Sequence, residues 1–216
     1  SYLYCLSDKI DRKLLNLKKY KVSDDGNDIT VRGLLYKGES WDTGYNLLTY
    51  KVADVNSKNW NAWELQYPED YPSENTWQPL IDLIDFCSNK RSSAIFLRDW
   101  KKLFYKDNLL DYYLLTLAMN VGDNGYKNTF LSTVNILEGH IYLITPWDMD
   151  MSLGGNRNGD YYDEMATLNR YNYLAPYNIL YQQNIDNFRD EAAKAWASQL
   201  DSIFSTDHVF TLLDGY

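Results

Sequence analysis

Near residue 77 the spacing of apolar side chains changes from alternate positions to every third or fourth, which restricts the chain to folds that join a sheet to a set of helices. Before that point residues 2–7, 28–37, 46–52 and 62–67 read as strands, through Ile29, Val31 and Leu34-Leu35-Tyr36, then Leu47-Leu48, then Trp63-Glu64-Leu65. Asp24-Asp25-Gly26-Asn27 is a turn signal between the early runs. Beyond it, Leu80, Ile81, Leu83 and Ile84 form one helical face, and Phe96, Leu97, Trp100, Leu103 and Phe104 form a second. Leu109, Leu110, Tyr113, Leu114 and Leu117 make a third, with Asp107 as its expected N-cap and Gly122 at its exit.

Two further strand-like runs, 129–136 and 140–145, flank Glu138-Gly139 and predict a hairpin. A Gly/Asn-rich loop follows over 152–159. One helix is then expected from about Pro176 to Leu200, with Ile185, Phe188, Ala192 and Trp196 on one face. The expected fold is α+β: an antiparallel-sheet lobe over residues 1–76 and a mainly helical lobe over 77–216 that carries the hairpin.

At 216 residues the chain is long enough for one domain, or a domain with a small lobe, around a substantial core. Its net charge of -9 disfavours nucleic acid or an anionic membrane as a partner, because their phosphates would be repelled before docking. A nucleotide is compatible with that charge, since a metal ion and one or two cations reverse the field within a single cleft. No apolar run approaches the roughly 20 residues of a membrane span, and no basic-then-apolar targeting pattern opens the chain. The chain opens on strand-like Tyr2-Leu3-Tyr4-Cys5-Leu6, so a preceding segment, with any signal peptide, is expected. The 7 Trp and 20 Tyr residues point to an extracytoplasmic protein with aromatic, polar-rimmed surfaces. Cys5 and Cys87 fit no zinc spacing; they read as two buried thiols, or as a pair if the protein is secreted.

The chemistry is concentrated around the hairpin. Asp123 is followed by Asn128, then by the hairpin, then by Asp148. An acid, an amide, a hairpin and a second acid is the order in which kinase-type phosphotransferases present a base and metal ligands. Mg²⁺ takes hard oxygen donors and leaves some of its coordination to phosphate, a role suited to Asn128 and Asp148. Asp123 suits the acceptor of a hydroxyl proton. The hairpin would fold Asp148 back beside Asn128, because paired strands lie about 5 Å apart. The same residues also suit plain turns, since Asp, Asn and Gly are turn formers.

Lys37 ends the most regular strand, where a phosphate-contacting lysine would stand, with Glu64 as its candidate partner. The competing readings are an edge-strand lysine that discourages aggregation and a solvated glutamate. No Gly-x-Gly-x-x-Gly loop precedes Lys37, so the phosphates would need another cover.

Tyr2-Leu3-Tyr4-Cys5-Leu6-Ser7-Asp8-Lys9-Ile10-Asp11-Arg12, Gly33-Leu34-Leu35-Tyr36-Lys37-Gly38 and Trp63-Glu64-Leu65-Gln66-Tyr67-Pro68 occur in that order. Asn120-Val121-Gly122-Asp123 with Lys127-Asn128, then Pro146-Trp147-Asp148-Met149-Asp150, complete the set. Together they resemble the CotH kinase family, the spore coat protein H-like atypical kinases. That resemblance implies an atypical, secretory-type protein kinase-like fold. It implies transfer of phosphate from ATP, with Mg²⁺ or Mn²⁺, to protein Ser/Thr or other hydroxyls, in spore coats or at bacterial surfaces. By motif position Asp123 would be the catalytic acid, Asn128 and Asp148 the metal positions, and Lys37 the strand lysine. Asp150 would bind a second ion or brace the first.

Two other classes fit parts of the same pattern. A catalytically silent surface module would keep the scaffold and use its Tyr/Trp-rich face for glycan or protein. A Ca²⁺-stabilised loop would use Asp148 and Asp150 with Asp160 and Asp163, although the spacing departs from the twelve-residue EF-hand loop.

Overall fold

The computed structural model describes residues 9–26, 28–40, 46–50, 54–90, 94–121, 124, 127–150, 152–153, 155 and 175–215. Its architecture is α+β with antiparallel sheets. The strands are β1 (Lys21–Val22), β2 (Ile29–Thr30), β3 (Leu34–Gly38), β4 (Asn59–Trp60), β5 (Trp63–Tyr67), β6 (Thr129–Thr133) and β7 (Tyr142–Pro146). The helices are α1 (Glu74–Lys90), α2 (Ala94–Asp99), α3 (Lys106–Ala118), α4 (Tyr177–Gln182), α5 (Phe188–Leu200) and α6 (Thr206–Asp214). Strands β1 and β2 form a small ribbon, and the main sheet runs in the order β4-β5-β3-β6-β7. Strands from both sides of residue 76 therefore share one sheet, joined where β3 pairs with β6.

Period-two alternation gives this sheet two distinct faces. Leu34, Tyr36, Trp63, Leu65, Leu131, Tyr142 and Ile144 enter the main core, where they meet α1, α3, α4 and α5. Leu35 and Phe130 face the other way and join Leu17 in a small second cluster. Lys37, two residues beyond Leu35, belongs to that second face. Two buried tyrosines fasten α1 to the sheet through its backbone. The Tyr36 hydroxyl donates to the Thr76 carbonyl at 2.6 Å, and that of Tyr142 donates to the Pro79 carbonyl at 2.7 Å. Pro79 lies inside α1 and has no N–H to offer the Asn75 carbonyl one turn earlier; the two tyrosines bind other carbonyls of the same stretch and hold it against the sheet.

The structure corrects several sequence expectations. The run 28–37 is two strands rather than one, because the chain at Leu17 and Lys18 passes against it. A Cβ at Gly33 would meet Leu17 Cβ and the Lys18 carbonyl, each at 2.8 Å, so only glycine fits there. Residues 46–50 of the expected 46–52 strand form no strand. Leu47 has a φ of 59° and the Asn46 side chain accepts the Leu48 N–H, an Asx turn that buries Leu47 without sheet pairing. Asp107 lies in the first turn of α3, whose N-cap is Tyr105. The expected helix over 176–200 is broken between α4 and α5, where Asn184, Asp186 and Asn187 are left-handed. The break turns Asp186 onto the Trp100 indole N–H at 2.8 Å and lets the Asn184 side chain accept the Arg189 N–H in the first turn of α5 at 3.0 Å.

The turn at residues 24–26 and strand β5 stand where expected, as do α1 and α3 to within a few residues and the 129–146 hairpin. Cys87 is a free thiol buried in the core, and desolvation pushes its pKa up; Cys5 lies outside the described residues. Among the described residues, no helix is long and apolar enough to cross a membrane.

Candidate active site at the open end of the hairpin

The β6–β7 hairpin sets the geometry of the site. Its register pairs Thr129 with Pro146, so the residues just outside that pair, Asn128 and Trp147, face each other. The Trp147 N–H donates to the Asn128 carbonyl at 2.9 Å, and the Asn128 side-chain amide reaches the Asp148 carbonyl at 3.5 Å. Asn128 and Asp148 are thus brought together as the sequence predicted. Both are left-handed, with φ of 58° and 52°. Asn and Asp are the side chains that tolerate this conformation best, and such backbone is concentrated at functional sites.

The same strand pairing brings in the lysine. Lys37 lies opposite Phe130, and the Asn128 N–H donates to the Gly38 carbonyl at 3.2 Å. One end of the sheet therefore gathers Lys37, Asn128 and Asp148. Asn128 is buried, whereas Asp148 and Asp150 are exposed. Asp123 lies outside the described residues. Among the described residues no three His, Cys, Asp or Glu side chains gather around a common point. The donor set is nonetheless chemically suited to Mg²⁺ or Mn²⁺. It comprises a carboxamide oxygen and exposed carboxylates, and soft ligands are missing from it. Asp160 and Asp163, needed for the calcium loop, lie outside the described residues.

Glu64 stands directly across from Lys37 in the β3–β5 register. Their closest ionic partners nevertheless differ. Lys37 Nζ is 2.6 Å from Glu39, while Glu64 is held by Lys58 at 2.8 Å, and Lys58 also reaches Glu69 at 2.6 Å. Burial raises the Glu64 pKa, but hydrogen bonds with Lys58 and Glu39 and the fields of Lys58 and Lys37 outweigh it and bring the value below the usual carboxylate range. A depressed carboxylate stabilises the fold above its unfolded pKa of about 4.3 and loses that contribution as pH falls through the folded value. Replacing Glu64 with Gln is therefore expected to lower the urea midpoint at pH 7 and to cost less at pH 3 than at pH 7. An equal loss at both pH values would exclude the ionic contribution.

Sequence reasoning missed the residues that brace this site. Tyr112 of α3, Asn124 and Thr129 form a buried hydrogen-bonded cluster under the Asn128–Trp147 pair. The available signal was a tyrosine and a threonine at core-facing positions beside an Asn-Gly turn. Asn108 was missed too; it lies on α3 and bonds both backbone groups of Ile144, closing the edge of β7. Glu39 and Lys58, which engage the expected Lys37 and Glu64, gave no motif.

An antiparallel α+β protein with a lysine strand beside an Asn/Asp hairpin mouth is the class that fold and site define. The family model described as CotH kinase protein matches residues 3–216, and the chain belongs to the CotH kinase family. A comparison with curated proteins found no match.

Proposed function

We propose that this protein is a divalent-metal-dependent kinase, working outside the cytoplasm, that transfers the γ-phosphate of ATP to a protein Ser/Thr or another hydroxyl acceptor. Family membership supports a kinase-like activity. The observation that carries the reading is the gathering of Lys37, Asn128 and Asp148 at one end of the sheet through β3–β6–β7 pairing. In this reading the sheet-rich residues 1–76 supply the lysine and residues 77–216 supply the acids and the amide, as in a kinase-like pair of lobes.

Lys37 would neutralise α- and β-phosphate charge, and Asn128 and Asp148, with Asp150, would hold Mg²⁺ or Mn²⁺. The ion, when bound, offsets charge on the triphosphate. Asp123 would accept the proton of the acceptor hydroxyl as its oxygen bonds to the γ-phosphorus. The bond from that phosphorus to the β–γ bridging oxygen breaks, and ADP leaves with the electron pair. Glu39 would orient Lys37, the role the sequence gave to Glu64.

The test is incubation with γ-labelled ATP and Mn²⁺ or Mg²⁺, with the protein itself and a generic protein as acceptors. Label on hydroxyl side chains that EDTA prevents is expected. Failure to transfer label to any acceptor with either metal would support a silent binding module on the same scaffold.

A further inference from the structure

Asn124, the chain neighbour of Asp123, is fully buried. Its side-chain nitrogen lies 2.8 Å from the Asn128 carbonyl and 2.8 Å from the Trp147 carbonyl. Both partners are pure acceptors, so the end of the amide facing them must be the NH₂ group, with one proton for each. The main-chain carbonyl of Asn124 is gripped from the other side. Tyr112 Oη lies 2.9 Å and Thr129 Oγ1 3.1 Å from it, with 2.7 Å between the two hydroxyls. Tyr112, Asn124, Asn128 and Thr129 are buried, and Trp147 is half-buried.

We propose that Asn124, locked by Tyr112 and Thr129, is a positioning residue that ties the base loop to both metal-ligand segments. The inference rests on the phosphotransfer reading above. Asn124 is the chain neighbour of Asp123, one of its amide protons holds the backbone of Asn128, and the other holds Trp147, the chain neighbour of Asp148. One side chain thus joins three segments of the chain that carry the proposed base and ligands. The two amide protons are what the position requires: Asp would set carboxylate oxygens against two carbonyls, and Ala would remove the side-chain donor to the Trp147 carbonyl and leave the Asn128 carbonyl with the Trp147 N–H alone. Tyr112 extends the brace into α3, so the site is referenced to a core helix rather than to its own loop.

The test measures Mn²⁺ affinity by electron paramagnetic resonance in the presence of ATP, alongside kcat and acceptor KM. Wild type, Asp148→Asn, Asn124→Ala, Tyr112→Phe, Thr129→Val and Thr129→Ser are compared, each first shown folded by circular dichroism. The expected result is a loss of Mn²⁺ affinity of about 10- to 100-fold in Asn124→Ala, the range for residues that orient ligands. A smaller loss is expected in Tyr112→Phe and Thr129→Val, with recovery in Thr129→Ser, which restores the hydroxyl. kcat should fall with affinity while acceptor KM stays constant. Should Asn124→Ala not fold, the Tyr112→Phe and Thr129 variants carry the same comparison. Wild type that binds no Mn²⁺ overturns the phosphotransfer reading and this role with it. Binding that Asp148→Asn abolishes, but that folded Tyr112→Phe and Thr129→Val keep at wild-type strength, overturns the positioning role alone.

Discussion

Asp148→Asn is expected to abolish the thermal stabilisation that ATP with Mn²⁺ gives the wild-type protein, while leaving the ligand-free protein as stable as before. A ligand pair at a hundred times its dissociation constant stabilises a fold by about 2.7 kcal/mol. For a chain of this size that corresponds to a rise of roughly 5 to 10 °C in Tm. Asparagine tolerates left-handed backbone as aspartate does, so the φ of 52° at this position is retained and only the charge is lost. Asp148→Ala should lose the ligand shift too, but it adds a backbone penalty of about 1 kcal/mol, visible as a lower Tm without ligand. Asp148 is exposed, so neither variant opens a cavity. Differential scanning fluorimetry with and without ATP and Mn²⁺ separates the two effects. A wild-type shift that survives in both variants would remove Asp148 from the metal site.

How much of this was legible in the sequence depended on the range of the interaction. The hairpin was legible because alternation and an intervening Gly turn are local, and the approach of Asn128 to Asp148 followed from its register alone. The same logic placed Lys37 on a regular strand. What failed were contacts fixed by distant segments. Nothing near residue 33 in the sequence announces that Leu17 and Lys18 cross there and divide the expected strand. Nothing near Asp186 announces the Trp100 indole that turns it out of a continuous helix, since the two are 86 positions apart. The assignment of Glu64 to Lys37 shows the limit even within a correct register: the two stand opposite, yet Glu39 and Lys58 make the short ion pairs. Salt bridges among long side chains are set by rotamers and competing charges, which strand pairing does not specify. The brace on Asn124 was hidden for a different reason, because an Asn beside Gly reads as a turn until its buried partners are known.

Trp77→Ala is expected to be the most damaging single truncation in the core of the sheet. The indole is fully buried, stacks on Tyr36 with centroids 5.5 Å apart, meets Trp60 at 5.6 Å, and donates its N–H to the Ser57 carbonyl at 3.0 Å. It joins α1 to β3 and to the β4–β5 hairpin, whose turn carries the left-handed pair Asn61 and Ala62. Truncating a buried Trp to Ala costs about 3 to 5 kcal/mol. For this chain length that lowers Tm by roughly 10 °C or more, measurable by calorimetry or by the urea midpoint. Trp77→Phe keeps ring contact with Tyr36 and should cost about half as much, while Phe210→Ala, at a position 59% exposed on α6, should stay within about 0.5 kcal/mol of wild type. The consequence reaches the site because Tyr36 precedes Lys37 on β3, and β3 is the strand that binds β6 to the rest of the sheet. Loss of the Trp77 ring should therefore loosen the Lys37–Asn128 end as well, so the ATP and Mn²⁺ stabilisation of Trp77→Ala is expected to shrink relative to wild type even where the variant remains folded. An undiminished ligand shift would mean that the open end of the hairpin is held by α3, through Tyr112 and Asn108, independently of the aromatic core beneath β3.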